Sequence, residues 1–375
     1  MIAPEDEPGI AAAIAEAAGP LLVQGNGSKA GMLRPVQAAE TLSTMNLQGV
    51  RLYAPKELVL SVGAGTRLNE VEALLARSGQ HLIAEPSHFF GQAQTIGGMV
   101  ASNFSGPRRV MWGAMRDHVL GLRVVNGKGE ILKFGGRVLK NVTGLDLCKL
   151  LTGSYGTLGV ITEITLKVLP RPEATGTVLL RGLDAQAAVR AMAAGLGSPY
   201  SVSAAAYLPR RQATALRIED FGPSVQYRCE KLASALRDFG SGEILDTAMS
   251  EAFWRGVRDA AMLPEGEAVW RVSVPPSAGA RVLAAAEAVG AEGFLDWGGG
   301  LAWLSGPAEP AAHEAICAAA RAEGGVWWLL RAPAAMRAVV AVVPDEAPAL
   351  ARISARVRQS FDPRGILNPG RLRAT

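Results

Sequence analysis

A short glycine loop near the start of the chain carries the first residues suited to chemistry. The segment Gln24-Gly25-Asn26-Gly27-Ser28-Lys29 follows the apolar run 21–23. Glycines let consecutive backbone N–H groups point into one concavity that can hold a pyrophosphate, and Lys29 can add a positive charge. The spacing to Gly31 is one residue longer than a Rossmann loop allows, and Pro35 stands where a long helix should run. Taken alone, the loop predicts either a phosphate cradle or a plain structural turn.

Two further segments are dense in small and hydroxyl residues. They are 94–107, which contains Thr95-Ile96-Gly97-Gly98, and Gly153-Ser154-Tyr155-Gly156-Thr157-Leu158-Gly159. Such stretches cannot fill a core by side-chain volume, yet apolar segments flank them. They would let a flat ligand approach the backbone, although each by itself could also be an ordinary loop or turn.

Histidines offer little for a metal centre. Of His81, His88, His118 and His313, only His313 lies beyond residue 172, so counting excludes a two-histidine metal site there. On the helical pattern of 310–322, we expect His313 at the surface. Asp117-His118 could act as an acid–base pair, but His118 also begins an apolar strand.

Two tryptophan–arginine groups could recognise a carboxylate. Trp254-Arg255 with Arg258, and Trp327-Trp328 with Arg331, combine an aromatic wall with a guanidinium fork. Tryptophans packed in a core or subunit interface, with arginines reaching to the surface, are the simpler interpretation.

The elements that position these groups fall into two halves. In the first, periodicity predicts a strand over 21–23, a strand over 57–63, a helix around 68–75, a hairpin turning at Asn126-Gly127, and one long strand over 160–168. Pro170-Arg171-Pro172 breaks regular structure, so a domain boundary is placed there. Beyond it, helices alternate with short strands, which predicts an α+β domain with one sheet covered by helices.

Composition excludes several classes of protein. A chain of 375 residues with 49% hydrophobic and 19% charged residues is globular rather than disordered. The net charge of +4 comes from scattered basic residues, which argues against nucleic-acid binding. Three cysteines without a Cys-x-x-Cys spacing support neither a disulfide framework nor an iron–sulfur cluster. The acidic first residues differ from a signal peptide, and Val326–Val343 is interrupted by charged residues and proline. We expect a cytoplasmic protein without a transmembrane segment, at most peripheral to the inner face of a membrane through a partner.

In order and spacing, these segments resemble the FAD-binding domain of the vanillyl-alcohol oxidase and para-cresol methylhydroxylase superfamily. The resemblance covers roughly residues 15 to 172. The segments that carry it are the loop 24–29, Thr95–Gly98 with Asn103 and Gly106-Pro107, the stretch Lys140–Leu147, and the loop 153–159. Phe361–Arg371 is similar to the closing motif of the branch that oxidises lactate and glycolate. Within that branch, a short second domain with Trp270–Pro275 and Asp296–Gly300 resembles the FAD-binding subunits of glycolate oxidase.

This resemblance implies a domain plan and a set of FAD ligands. The plan is a two-subdomain FAD-binding domain (1–172), an α+β domain (173–360), and a terminal segment (361–375) that returns to the FAD domain. Gly25, Asn26, Gly27, Ser28 and Lys29 would hold the pyrophosphate. Gly97, Gly98, Ser102, Asn103, Ser105 and Gly106 would line the isoalloxazine and ribityl part, and Gly156, Gly159 and Ile161 would border the ribityl-to-adenosine stretch. Thr95 and Arg116 complete the set.

Departures from the family pattern shape the expected function. Members that attach FAD covalently use a histidine, and none stands at 24–29, so noncovalent FAD is expected, with His88 as a hydrogen-bonding loop residue. Members that oxidise 2-hydroxy acids carry a second-domain run His-x-x-Gly-Asp-Gly-Asn-x-His, which this chain lacks. The resemblance therefore implies an FAD-dependent oxidoreductase subunit acting on CH–OH donors. A larger FAD-containing glycolate oxidase subunit would bear the metal and substrate site, and an iron–sulfur subunit would accept electrons.

Two alternatives stay open at this stage. One is a stand-alone FAD-dependent 2-hydroxy acid dehydrogenase or reductase, such as a relative of enolpyruvyl-glucosamine reductase. The other is a non-catalytic scaffold subunit whose flavin pocket has decayed, although the intact glycines of all three segments argue against decay.

Overall fold

The computed structural model describes residues 1–91, 93–137 and 145–374. Most of the stretch 140–147 singled out above therefore lies outside the described residues. The helices are α1 (Glu7–Glu16), α2 (Leu68–Ala76), α3 (Ile96–Ser102), α4 (Arg109–Trp112), α5 (Leu147–Leu151), α6 (Ala185–Leu196), α7 (Gly222–Ala235), α8 (Thr247–Arg258), α9 (Gly279–Glu287), α10 (Pro310–Ala322), α11 (Ala334–Val339) and α12 (Pro348–Phe361). Among them, none combines the length and the apolar character that crossing a bilayer requires.

The strands form two large sheets and one small one. They are β1 (Leu21–Gln24), β2 (Glu40–Ser43), β3 (Val50–Ala54), β4 (Val59–Gly63), β5 (Gln80–Leu82), β6 (Val119–Val125), β7 (Ile131–Gly135), β8 (Val160–Pro170), β9 (Ala174–Arg181), β10 (Ala204–Leu208), β11 (Ala213–Asp220), β12 (Glu243–Leu245), β13 (Ala268–Ser273), β14 (Glu292–Asp296), β15 (Leu301–Gly306) and β16 (Val326–Arg331). The strand β1 pairs in parallel with β2, which the sequence patterns did not predict.

The long strand β8 is the centre of the six-stranded sheet. The strand order is β3-β4-β8-β6-β7, and β5 also pairs with β8. The prediction of one long strand is confirmed, because its alternating Val160, Ile164 and Leu166 are buried and its whole length is paired. The hairpin predicted at Asn126-Gly127 is also confirmed, since β6 pairs with β7 and the Asn126 Oδ1 atom accepts hydrogen bonds from two turn amides.

The second half of the chain folds around an eight-stranded sheet. Its order is β12-β9-β11-β10-β14-β15-β13-β16, and its pairings are antiparallel. Helices α6 to α10 pack on it, so the expectation of one sheet covered by helices is confirmed. Local capping supports the helices: Asp184 and Asp246 accept hydrogen bonds from amides in the first turns of α6 and α8.

The chain passes from one sheet to the other over a few residues. Strand β8 ends at Pro170 in the first sheet, and β9 begins at Ala174 in the second. This change supports the proposed boundary at 172. The proposed return of the terminal segment is supported by the Leu21 amide, which donates to the Ile366 carbonyl at 2.7 Å.

The expected surface position of His313 is wrong. Its side chain belongs to the buried face of α10 with Ile316 and Cys317, and the residue is 2% exposed. Its Nδ1 atom accepts a hydrogen bond from Trp270 Nε1 at 3.0 Å, and its Nε2 atom lies 3.1 Å from the Ala341 carbonyl oxygen. Burial lowers the pKa of His313, which favours the neutral ring that these contacts need.

A buried ion-pair network, defined by Glu85, Arg108, Arg217 and Glu219, joins loops of the first half of the chain to the second sheet. Arg217 on β11 donates to both carboxylate oxygens of Glu85 at 2.8 and 2.9 Å. Arg108 donates to both oxygens of Glu219 at 2.7 and 3.1 Å. Burial alone would raise the pKa of Glu219, but Arg217 and Arg108 lower it to about 2. The same two guanidinium groups lower the pKa of Glu85, so both carboxylates of the network are ionised at neutral pH.

Replacing Arg217 with methionine is expected to weaken the fold strongly. The change would leave Glu85 buried without its cation, and loss of one partner of a buried pair costs about 3–5 kcal/mol. The free energy of unfolding, measured by urea denaturation, should fall by that amount. The matched control is Arg210→Met, because Arg210 pairs with Glu292 at 2.7 Å on the exposed surface, where a pair contributes less than about 1 kcal/mol. Equal losses in the two variants would contradict the importance of this network.

Candidate functional site

One deep cleft lies where three glycine-containing segments meet. Its walls come from the loop after β1, from α3 with the residue before it, and from the loop that leads into β8. About 1170 Å³ of free space is available, counting its open mouth. The predicted residues that line it are Gly25, Asn26, Gly27, Ser28, Lys29, Thr95, Gly97, Gly98, Ser102, Gly156, Gly159 and Ile161.

Missing side chains create the close approach of the first loop to α3. A Cβ atom at Gly25 would lie 2.3 Å from Thr95 Oγ1, and one at Gly97 would lie 2.8 Å from the Ala64 carbonyl oxygen. Gly27 has φ +68°, a conformation that other residues rarely adopt. Thr95 caps α3 by accepting a hydrogen bond from the Gly98 amide at 3.2 Å. The wall is thus backbone, and its amides are within reach of a ligand.

Lys29 brings a positive charge into the cleft without a carboxylate partner. Its Nζ atom donates to Gln94 Oε1 at 2.8 Å, lies 3.5 Å from Met99 Sδ, and sits 5.2 Å from the centre of the Phe90 ring. Among the described residues, no acidic side chain forms an ion pair with it. Burial lowers the pKa of Lys29 to about 7. The buried ammonium group therefore has no neighbouring negative charge until an anion binds.

The terminal segment completes the cleft with residues that the site prediction missed. Asn368 accepts a hydrogen bond from the Val23 amide at 2.7 Å and donates to the Tyr155 carbonyl at 2.9 Å. Arg371 donates to the Lys29 carbonyl at 2.9 Å, and both Asn368 and Arg371 line the cleft. The motif 361–371 is the sequence signal for these two residues, but a motif does not indicate which groups they contact.

Four predicted site residues lie outside the lining of this cleft. Asn103 ends α3 with φ +52°, and its Oδ1 atom accepts from the Arg116 amide at 3.1 Å. The Arg116 side chain is half exposed. Ser105 Oγ accepts from the Met115 amide at 2.9 Å, and Gly106 packs against the Glu85 carbonyl, which a Cβ atom would approach to 2.1 Å. Contacts with other parts of the segment 85–116 therefore use Asn103, Ser105 and Gly106, and the flavin contacts of all four residues stay a prediction.

The other candidates from the sequence lie away from the cleft. His88 lies 2.9 Å from Glu72, as expected of a hydrogen-bonded loop histidine. Asp117 accepts a hydrogen bond from the Ala114 amide, and His118 is buried just before β6. Trp254 is buried and stacks with Arg217 at 4.9 Å rather than with Arg255.

The chemistry of the lining fits an elongated anionic dinucleotide. Backbone amides and two cations, Lys29 and Arg371, face the cleft, and the described lining contains no carboxylate. Apolar surface comes from Leu22, Val160 and Ile161, which can cover flat rings. The residues present therefore fit FAD.

The comparisons with known proteins agree with this geometry. Residues 1–135 match a family described as an FAD binding domain. Over 359 residues, the chain is 38% identical to the glycolate oxidase subunit GlcE of Escherichia coli (strain K12), covering 95% of this chain and 93% of that protein. The chain belongs to the GlcE family. This GlcE-family chain is also 30% identical over 203 residues to the glycolate oxidase subunit GlcD of Bacillus subtilis (strain 168), covering 54% of this chain and 42% of that one.

A solved structure shows the same fold as this GlcE-family chain. It superposes on alkyldihydroxyacetonephosphate synthase with a TM-score of 0.73 at 16% identity, covering 98% of this chain and 76% of that one. The expected fold class is therefore confirmed: an FAD-binding unit of the vanillyl-alcohol oxidase type is followed by an α+β unit.

Gly27→Glu is expected to abolish FAD binding by this GlcE-family chain. A carboxylate beside a phosphate is repelled by about 4 kcal/mol at 4 Å, so the affinity should fall on the order of a thousandfold. The measurement is visible flavin absorbance per mole of purified protein. The matched control is Gly31→Glu, because a Cβ atom at Gly31 meets no atom within 4 Å and its φ is unrestricted. Unchanged flavin content in Gly27→Glu would mean that the loop does not face the cofactor.

Lys29 is expected to make FAD affinity depend on pH. A phosphate raises the pKa of a neighbouring ammonium, so binding is strongest below the value of about 7 in the free chain and weakens by up to about tenfold per pH unit above it. Titrations of FAD-free protein across this range give the dissociation constants. Lys29→Met should bind weakly with a flat pH profile, whereas the exposed Lys56→Met should behave as wild type. A flat profile in wild type would contradict the role of Lys29.

Proposed function

We propose that the chain is the FAD-binding subunit of a glycolate oxidase, which oxidises glycolate to glyoxylate and passes the electrons to partner subunits. The full-length similarity to GlcE carries this proposal. The cleft supports the proposal independently, because its described lining contains no carboxylate and its amides and cations suit a diphosphate. When bound, FAD supplies the two-electron acceptor that oxidation of a CH–OH group needs.

The residues of this chain would bind and orient that cofactor. The amides of Gly25 to Ser28 would hold the pyrophosphate, with Lys29 neutralising part of its charge. Asn368 and Arg371 would fix the first loop against the loop at Tyr155. The cofactor would be noncovalent, which is supported by a described lining without histidine or cysteine.

Partner subunits would complete the reaction. The similarity to the glycolate oxidase subunit GlcD supports a larger FAD-containing partner subunit, which would bear the metal and substrate site. An iron–sulfur subunit would carry electrons onward, because the three cysteines of this chain have no cluster spacing. Such a complex would be cytoplasmic, or peripheral to the inner face of the membrane.

Two measurements on natively produced protein test this function. We expect the chain to purify together with a second flavoprotein and an iron–sulfur protein, and acid denaturation to release its FAD. The complex should reduce an artificial acceptor when glycolate is added, whereas the isolated flavin-loaded chain should not. Turnover by the isolated chain would contradict the dependence on partners, and a chain that takes up no FAD would contradict the whole assignment.

A further inference from the structure

The segment that follows the first glycine loop is held by the second half of the chain. Leu33 is fully buried, and its amide donates to the Leu329 carbonyl of β16 at 3.2 Å. Its φ of +59° lies in the left-handed region, which a leucine adopts only where its surroundings impose it. Contacts with the second sheet therefore fix this segment, against the backbone preference of its own residue.

The side chain of Arg337, on α11, binds two carbonyl groups of the same segment. Its Nη1 atom donates to the Leu33 carbonyl at 2.8 Å and to the Ala30 carbonyl at 3.3 Å. Its Nε atom donates to the Ala332 carbonyl at 2.9 Å, ahead of α11. The residue is 7% exposed, so water competes little with these hydrogen bonds. One buried guanidinium group thus joins the first loop to the second half of the chain.

Two overlapping turns connect these carbonyl contacts to the residues expected to hold the pyrophosphate. The Ala30 amide donates to the Gly27 carbonyl at 3.0 Å, and the Met32 amide donates to the Lys29 carbonyl at 3.1 Å. Ala30 and Met32 also line the cleft. Because Arg337 binds a residue of the first turn, a displacement of its guanidinium group would also displace Gly27 and Lys29.

Contacts in the opposite direction make the connection reciprocal. Arg34 Nη1 donates to the Val340 carbonyl at 3.3 Å, and Arg34 Nη2 donates to the Ala338 carbonyl in α11. Arg371 of the terminal segment donates to the carbonyls of Lys29 and Arg34 at 2.9 and 3.1 Å. Arginines from both sides therefore hold α11 and the first loop against each other.

Arg337 also brings a positive charge close to the cleft. Burial lowers its pKa, and no described carboxylate forms an ion pair with it. Burial, together with the charge of Arg337, lowers the pKa of Arg371 to about 10. Two buried cations without a fixed anion are costly unless a ligand supplies negative charge nearby. A diphosphate on the first loop would supply it.

We propose that Arg337 is a positioning residue for the cofactor, which holds the first loop in the shape that receives the diphosphate of FAD. It acts through the carbonyl groups of Ala30 and Leu33 and is not among the described residues that line the cleft. Since α11 belongs to the second half of the chain, that half would control how tightly FAD is retained. The inference rests on the proposed FAD site, and it does not depend on which acid the complex oxidises.

Binding measurements on the full-length chain, freed of FAD, test this role. Arg337→Met should raise the dissociation constant for FAD by at least about tenfold, mainly through faster release. The same loss is expected for ADP, which carries the diphosphate. Riboflavin carries no phosphate and should bind to the variant as it does to wild type. A general loss of structure would instead weaken the binding of both ligands.

Two further variants and a local probe separate positioning from folding. Arg337→Lys keeps the charge and loses the fork, so it should fold even if Arg337→Met does not, with an FAD affinity between wild type and that variant. Arg352→Met is the matched control, because Arg352 is exposed on α12, and it should bind FAD as wild type does. Amide hydrogen exchange in the FAD-free Arg337 variants should become faster over 24–34 and stay unchanged in β8.

The outcomes distinguish this inference from the proposed function. Equal FAD affinity in wild type and in the Arg337 variants, or equal losses for ADP and riboflavin, would overturn the positioning role and leave the FAD site intact. Faster hydrogen exchange throughout the molecule would assign Arg337 a structural role and would also overturn the inference. Wild-type protein that takes up no FAD would contradict the proposed function together with it.

Discussion

The two bidentate pairs of the buried ion-pair network determine how the halves of the molecule meet. Glu85 and Arg108 bracket the segment that contains α3, and both are bound by residues of β11 in the second sheet. The helix that forms one wall of the cleft is therefore anchored at both sides to the other half of the chain. Through this connection, the position of this wall of the cleft depends on the second sheet.

Close backbone approach is the second constraint on the site. The first loop, α3 and the terminal segment come from distant parts of the sequence. The close approaches leave no room for a side chain at Gly25 against Thr95, at Gly97 against Ala64, or at Gly156 against Asn368. What results is a surface of amides, with charge supplied by Lys29 and Arg371. Such a surface recognises phosphate by geometry that is already present before binding, which limits the entropy lost when a ligand is captured.

Local patterns predicted the glycine segments, the long strand β8 and the helix-covered sheet, because each depends on neighbours in sequence. The missed features depend on distant contacts. His313 has helical spacing that suits either a surface or a core, and its burial follows from Trp270, which lies on another element. The flavin contacts of Asn103 and Ser105 stay a prediction, because their side chains bind the amides of Arg116 and Met115 outside the cleft lining.

The bridge made by Asn368 has a consequence for the order of folding. Its amide group joins Val23 of the first strand to Tyr155, so segments that lie 345 and 213 residues away from it along the chain share one junction. Contacts of such long sequence separation form late, because closing a large loop costs chain entropy. The two glycine loops are therefore fixed against each other only after most of the chain has packed.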